Sequence, residues 1–142
     1  MKQSLMRPEF IELAPPALED GVLYISQKYK TSLHKCCCGC GETVVLQLTP
    51  AHWQVEVHGS KVSLHPSVGN WGMRCQSHYW IKNSQVVWAK QMSPNQIAAV
   101  RERDKHDQAI HIARVNASKS QNAGYLNTLW ELLKKLGRWF MG

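Results

Sequence analysis

The sequence predicts an α+β fold: a small antiparallel β-sheet or partial barrel, stapled at a cluster of cysteines and followed by two C-terminal helices. Three observations predict it. Residues 21–90 hold short apolar or alternating runs separated by turn residues. HKCCCGCGE, residues 34–42, packs four of the five cysteines into five positions. From Asn95 to Val115 the chain has neither Gly nor Pro, and its apolar residues no longer alternate. The expected organisation is an irregular lead-in over 1–20, a β domain over 21–92 and a helical extension over 93–142.

The lead-in is broken by Pro8 and by Pro15-Pro16. Val22–Ser26 is apolar and β-branched and predicts the first strand, Ser32–Cys36 a second, and Thr43–Leu48 (TVVLQL) a third. Trp53–Val57 alternates as a half-buried strand should. His58-Gly59-Ser60 turns it back into Lys61–His65. Residues 78–82 (HYWIK) and 85–90 (QVVWAK) flank Asn83-Ser84 as a further hairpin, which makes six or seven strands. Ser93 suits a helix N-cap and Pro94 the first helical position. That helix carries the charged run RERDKHD, residues 101–107, and NASKSQNAG, residues 116–124, reads as a linker. Tyr125–Met141 then predicts a second, amphipathic helix with Leu126, Leu129, Trp130, Leu133 and Leu136 at helical spacing and Trp139 and Phe140 extending the apolar side.

The totals bound the function. At 142 residues, 44% hydrophobic and 19% charged, the chain has the composition of a soluble domain with a core and an appendage. Its net charge of +7 is spread along the chain, so no basic tail marks a nucleic-acid partner. Basic residues do not interleave with Trp53, Trp71, Trp80 and Trp88, which are expected to pack the sheet rather than to stack bases. No apolar run reaches the length of a membrane span. MKQSLMRPEF lacks the apolar core of a signal peptide, so the expected location is the cytoplasm, where thiols stay reduced.

Reduced, crowded thiols suit a metal better than disulfides, which require Cα atoms about 5.5–6 Å apart. In an extended segment Cys36, Cys38 and Cys40 project to one face and Cys37 to the other. A second soft pair, CQSH at residues 75–78, follows a few dozen residues later, which is the spacing of a structural zinc site. The expected ligands of Zn2+ are four of Cys36, Cys38, Cys40, Cys75 and His78, with Cys38, Cys40, Cys75 and His78 first and Cys36 the substitute where His78 is free. The alternative is a set of small buried hydrophobes. A redox C-x-x-C over Cys37–Cys40 lacks the βαβ setting it needs. The other histidines, His52, His58, His106 and His111, are read as surface positions.

Between the ligand pairs lies VSLHPSVGNW, residues 62–71. Ser67 follows Pro66 there, and Gly69-Asn70 permits positive φ. Ser67 is either a nucleophile, with His65 or His78 as base, or a capping hydroxyl in a tight loop. No G-x-S-x-G elbow and no H-E-x-x-H pattern is present. Ser77, beside His78 on a strand, would point to the opposite face and so would not pair with it.

HKCCCGCGE, LTPAHW (48–53), VSLHPSVGNW and CQSHYWI (75–81), with GVLYIS from residue 21, together carry a resemblance. The chain resembles a bacterial and phage zinc-binding family of unknown function, marked by C-x-C-G-C-G, L-x-P-x-x-W, S-L-x-P-S and C-x-S-H-[FY]-W-I in that order. The resemblance covers about residues 21–90. Some members of that family occur beside ubiquitin-like, E1-like and E2-like proteins. The resemblance therefore implies a zinc-containing peptidase acting on a ubiquitin-like protein, with Cys36, Cys38, Cys40, Cys75 and His78 as metal candidates and Ser67 and Ser77 as polar candidates.

Two functions fit these residues. One is a hydrolase of ubiquitin-like proteins, with Ser67 and His78 as catalytic candidates. Metal hydrolysis there would use Glu42 or a serine to manage protons, but a thiolate-rich zinc is a weak Lewis acid and four soft ligands close the site. The other is a noncatalytic zinc-stabilised adaptor, whose C-terminal helix binds a protein partner through Leu129, Trp130, Leu133, Leu136 and Phe140, or else packs on the sheet.

Overall fold

The computed structural model describes the fold of residues 1–140 and the side chains of residues 1–119. The chain divides into two compact units, Met1–Arg101 and Glu102–Gly142.

The first unit is a pair of four-stranded sheets. Sheet one runs β1 (Arg7–Phe10), β2 (Val22–Ser26), β3 (Thr31–Lys35) and β4 (Thr43–Gln47), in that order. Sheet two is a meander of β5 (Gln54–His58), β6 (Lys61–Gly69), β7 (His78–Lys82) and β8 (Gln85–Trp88). All pairings are antiparallel except β1 with β2. The alternating runs explain the packing. Val44 and Leu46 of β4 point inward between exposed neighbours, and Val62 and Leu64 of β6 and Tyr79 and Ile81 of β7 point inward between exposed or half-buried ones. With Leu23, Ile25, Val68, Met6, Cys36 and Cys37 they form one core shared by the two sheets.

Three expectations are corrected. The first twenty residues are not a bare lead-in, because Arg7–Phe10 pairs with Val22–Ile25. Pro8 obscures this strand in the sequence, yet an edge strand tolerates a residue that cannot donate to the ladder. The segment after β1 then covers the second face of β2, with Ile11 and Leu18 against Val22, Tyr24 and Leu33. That cover explains why all five residues of β2 are buried. Over residues 21–92 an antiparallel sheet or partial barrel was expected; the strands there are antiparallel as expected, and they divide between two sheets rather than one.

The third correction concerns the helices. One helix, α1, spans Pro94–Phe140 where two helices and a linker were expected. NASKSQNAG lacks proline, and its lone Gly124 costs only about 1 kcal/mol in a helix, so a polar composition did not break it. Ser93 caps α1 as expected: its Oγ accepts from the Gln96 amide at 3.4 Å, and the Ser93 amide donates to Gln96 Oε1 at 2.8 Å. Leu129, Trp130, Leu133, Leu136 and Phe140, on which partner binding was expected, lie outside the described side chains. Among the described residues no helix is long and apolar enough to cross a membrane.

Candidate functional site

The β3–β4 loop of sheet one and the β6–β7 loop of sheet two meet at one end of the core. Cys36 closes the first loop by donating its amide to the Glu42 carbonyl at 2.8 Å. Gly39 turns within that loop at φ 81°, its amide donating to the Cys36 carbonyl. A Cβ there would stand 2.6 Å from Met1 backbone atoms, so the turn admits glycine alone. Cys75 comes from the second loop, which is folded by Met73 N–H to Asn70 O and Gln76 N–H to Met73 O.

The Sγ atoms of Cys36, Cys38, Cys40 and Cys75 all lie within 4.8 Å of one another, and among the described residues this is the group that could hold a metal ion. Cys36 is 3.4 Å from Cys38 and 3.9 Å from Cys75. All five cysteines are free thiols. Cys37, in the turn after β3, points into the core against Met6 Sδ at 3.7 Å, and burial pushes its thiol up to about 12. Around the cluster the thiols differ. Burial and hydrogen bonds with neighbouring thiols push Cys38 up to about 12. Burial would raise Cys75 too, but hydrogen bonds from Ser77, Cys38 and Cys40 outweigh it and bring that thiol down to about 7.

Behind the thiols is a buried polar layer. Asn70 Nδ2 donates to Ser77 Oγ at 2.8 Å and to Cys36 Sγ at 3.4 Å, and Ser77 Oγ lies 3.1 Å from Cys36 Sγ. Sequence reasoning passed over Asn70 as a turn residue. Its only signal was its place opposite Ser77, where the Asn70 amide donates to the Ser77 carbonyl.

The next residues along the same strand pair face the other way. Gly69 pairs with His78 and Val68 with Tyr79, beyond a register shift in β6 between Leu64 and Val68. The strand was expected to stop at His65, but the bulge takes Pro66 out of the ladder and lets it continue to Gly69. Ser67 and His78 therefore share a face on diagonal positions, and Ser67 Oγ and His78 Nε2 are 3.0 Å apart. His78 thus meets Ser67, while the four thiols gather without it. Ser77, one residue away, faces the thiols. His65 is exposed opposite Gln54, and Glu42 is exposed at the end of its loop.

Aromatic rings hold the Ser67–His78 pair. Trp71 meets the His78 ring edge-on at 4.8 Å between centroids, and Trp80 lies at 5.4 Å on another side. Gly69 is glycine because Trp71 lies over it: a Cβ would stand 2.4 Å from the indole Nε1. It is not among the residues at positive φ, so the turn role expected for Gly69-Asn70 gives way to this close approach. Trp53 donates its indole N–H to the Ser67 carbonyl at 3.4 Å. His78 Nδ1 is buried and has no hydrogen-bond partner among the described residues, so packing orients the ring.

Two more histidines differ from the surface positions expected. His52 and His111 are half-buried, and His52 stacks on Trp53 with Nδ1 2.6 Å from Thr49 Oγ1. His34, not singled out in the sequence, is wholly buried, with Nε2 2.8 Å from the Tyr79 hydroxyl. Burial holds it down at about 4, so it is neutral.

These features define a class: a small two-sheet protein with a four-cysteine cluster joining the sheets and a Ser–His hydrogen bond on the face beside it. The model of the bacterial ubiquitination-like system serine protease family, BubE, matches residues 10–89, more than half of the chain, and the protein belongs to that family. No curated protein and no solved structure matches the chain.

Proposed function

We propose that this protein is a serine peptidase of a bacterial ubiquitin-like modification pathway, with Ser67 as nucleophile, His78 as general base and a structural zinc held by Cys36, Cys38, Cys40 and Cys75. The observation that carries the reading is the 3.0 Å separation of Ser67 Oγ and His78 Nε2 on one face of β6–β7. Membership in the serine protease family supports it.

Ser67 Oγ attacks the scissile carbonyl carbon as its proton passes to His78 Nε2. The tetrahedral adduct collapses with cleavage of the C–N bond, and His78 returns that proton to the leaving amine. Water, deprotonated by the same nitrogen, then attacks the acyl-Ser67 ester and releases the acid and the free hydroxyl. For Nε2 to accept, the proton of neutral His78 sits on Nδ1, and Trp71 and Trp80 hold the ring in place of a carboxylate.

The donor set fits zinc. Four sulfurs at about 2.3 Å from one ion in a tetrahedron stand about 3.8 Å from each other, and the observed 3.4 and 3.9 Å bracket that value. When bound, the metal supplies structural cross-linking. Thiolate charge is neutralised by it, and a complete sulfur set leaves no open position for water. A reducing cytoplasm would keep the thiols available. The family description supports a place in a ubiquitination-like system, and the substrate we propose on that basis is a ubiquitin-like protein, matured or released at its C-terminal tail.

The test is cleavage of a ubiquitin-like protein carrying a C-terminal extension, followed by mass spectrometry, with zinc measured on the same samples. Cleavage by the wild type and loss in Ser67→Ala at full zinc content is the expected result. Equal cleavage by Ser67→Ala would remove the serine from the mechanism, and a wild type inert on every such substrate would favour a noncatalytic adaptor.

A further inference from the structure

The strand that carries Ser67 has lost its neighbour on one side. The β5–β6 ladder ends at Gln54 opposite His65, and the Trp53 amide turns away to the Gln47 carbonyl. Residues 66–69 of β6 therefore have β7 on one flank and no strand on the other among the described residues. Antiparallel strands send the backbone groups of successive residues to alternate sides. The Asn70 amide donates to Ser77 of the β7 side, so Asn70 and Val68 face β7. Ser67 and Gly69 then face the open side. A second contact fixes the same direction: the Ser67 carbonyl receives the Trp53 indole N–H from the β5 flank.

We propose that the peptide to be cleaved adds as an extended strand to this open edge of β6, pairing its backbone with Gly69 and the Ser67 amide so that its scissile carbonyl comes to rest beside Ser67 Oγ. This rests on the serine-peptidase reading of the site. The occupant is an extended peptide because the edge offers main-chain donors and an acceptor at strand spacing, with no charged side chain at Ser67–Gly69 to select anything else. The nucleophile lies in the same three residues, so docking and chemistry share one register. Trp53 and Trp71 bound this stretch of β6 and leave the edge to a chain whose side chains there are small. The Ser67 amide would face the carbonyl oxygen that becomes the oxyanion.

Strand addition leaves a signature that side-chain recognition does not: it depends on every second backbone amide of the substrate. The experiment uses the full chain loaded with zinc. Short capped peptides are offered as a mixture, cleavage is read by mass spectrometry, and the best-cleaved peptide is resynthesised with each backbone amide N-methylated in turn. In parallel a fluorophosphonate ester, which labels an activated serine, reports whether Ser67 is reactive.

The expected result is a period of two, with kcat/KM falling roughly tenfold or more at pairing amides and little at those between. Cleavage that N-methylation affects at no position, or equally at consecutive positions, would overturn edge docking and leave the Ser67 chemistry standing. Ser67 labelled but no peptide cleaved would likewise overturn it, because an edge that reads backbone accepts free peptides. Neither labelling nor cleavage would remove the serine-peptidase reading, and this inference with it.

Discussion

The two faces of the β6–β7 end are built from alternate residues along the same strand pair and the residue that follows or precedes each strand, yet they differ in almost every physical respect. Asn70 and Ser77 are buried and tied to Cys36, a residue of the β3–β4 loop of the other sheet. Ser67 and His78 are half-buried, and apart from the Trp53 and Trp71 contacts their partners belong to the same strand pair. The first face connects distant parts of the chain, so its loss should be felt as stability. The second positions two groups at the surface, so its loss should be felt as rate. Period-two alternation lets one hairpin serve both ends without either set of side chains crowding the other.

The largest effect expected from breaking this division is at Ser67, the proposed nucleophile. Ser67→Ala should lower kcat by about 10⁴-fold or more, by analogy with serine nucleophiles generally. Its melting temperature and zinc content should stay those of the wild type. A variant that also lost zinc would show that the two faces are coupled.

Cys75→Ser should do the opposite. Removing one of four clustered thiols should reduce bound zinc well below one per chain and destabilise the first unit by on the order of 4–5 kcal/mol, as loss of a metal does. Calorimetry and elemental analysis on the purified variant check this. Unchanged zinc and melting would take Cys75 out of the site.

Trp71→Ala removes packing from His78 without touching Ser67. We expect kcat to fall by roughly 10–100-fold, the scale of a misplaced catalytic group, with zinc little changed. An intact kcat would mean that His78 is oriented by something other than Trp71.

Asn70→Ala sharpens the comparison from the metal side. It deletes the donor to Ser77 and Cys36, and it should weaken zinc affinity by about 10-fold while leaving kcat of the zinc-loaded protein near wild type. Competition with a zinc chelator of known affinity reads the first effect and steady-state kinetics the second.

Much of this was legible beforehand. TVVLQL, the alternation from Trp53 to Val57 and HYWIK placed β4, β5 and β7 to within a residue at each end, because each buries one face and shows the period that a half-buried strand requires. The thiol cluster was legible because soft ligands grouped in two short segments have the spacing of a metal site. β1 was not, because four residues containing a proline carry no periodic signal; only their pairing with Val22–Ile25 makes them a strand. The continuous α1 was missed because a polar, proline-free segment is compatible with both linker and helix.

By itself, then, the sequence determined most of the inventory of this protein: its strands other than β1, its pool of cysteines, and Ser67 and His78 as polar residues near them. Tertiary structure alone decided how that inventory is divided. A bulge in β6 and the pairing of Gly69 with His78 set which side chains share a face, and they bring His78 to Ser67 while Cys36 joins the other thiols. Local sequence carries no record of register, because a shift of one residue exchanges every inward side chain for its outward neighbour. Here the register is held by contacts between two sheets that are distant in the chain, from Met6 and Cys37 to Tyr79 and Ile81.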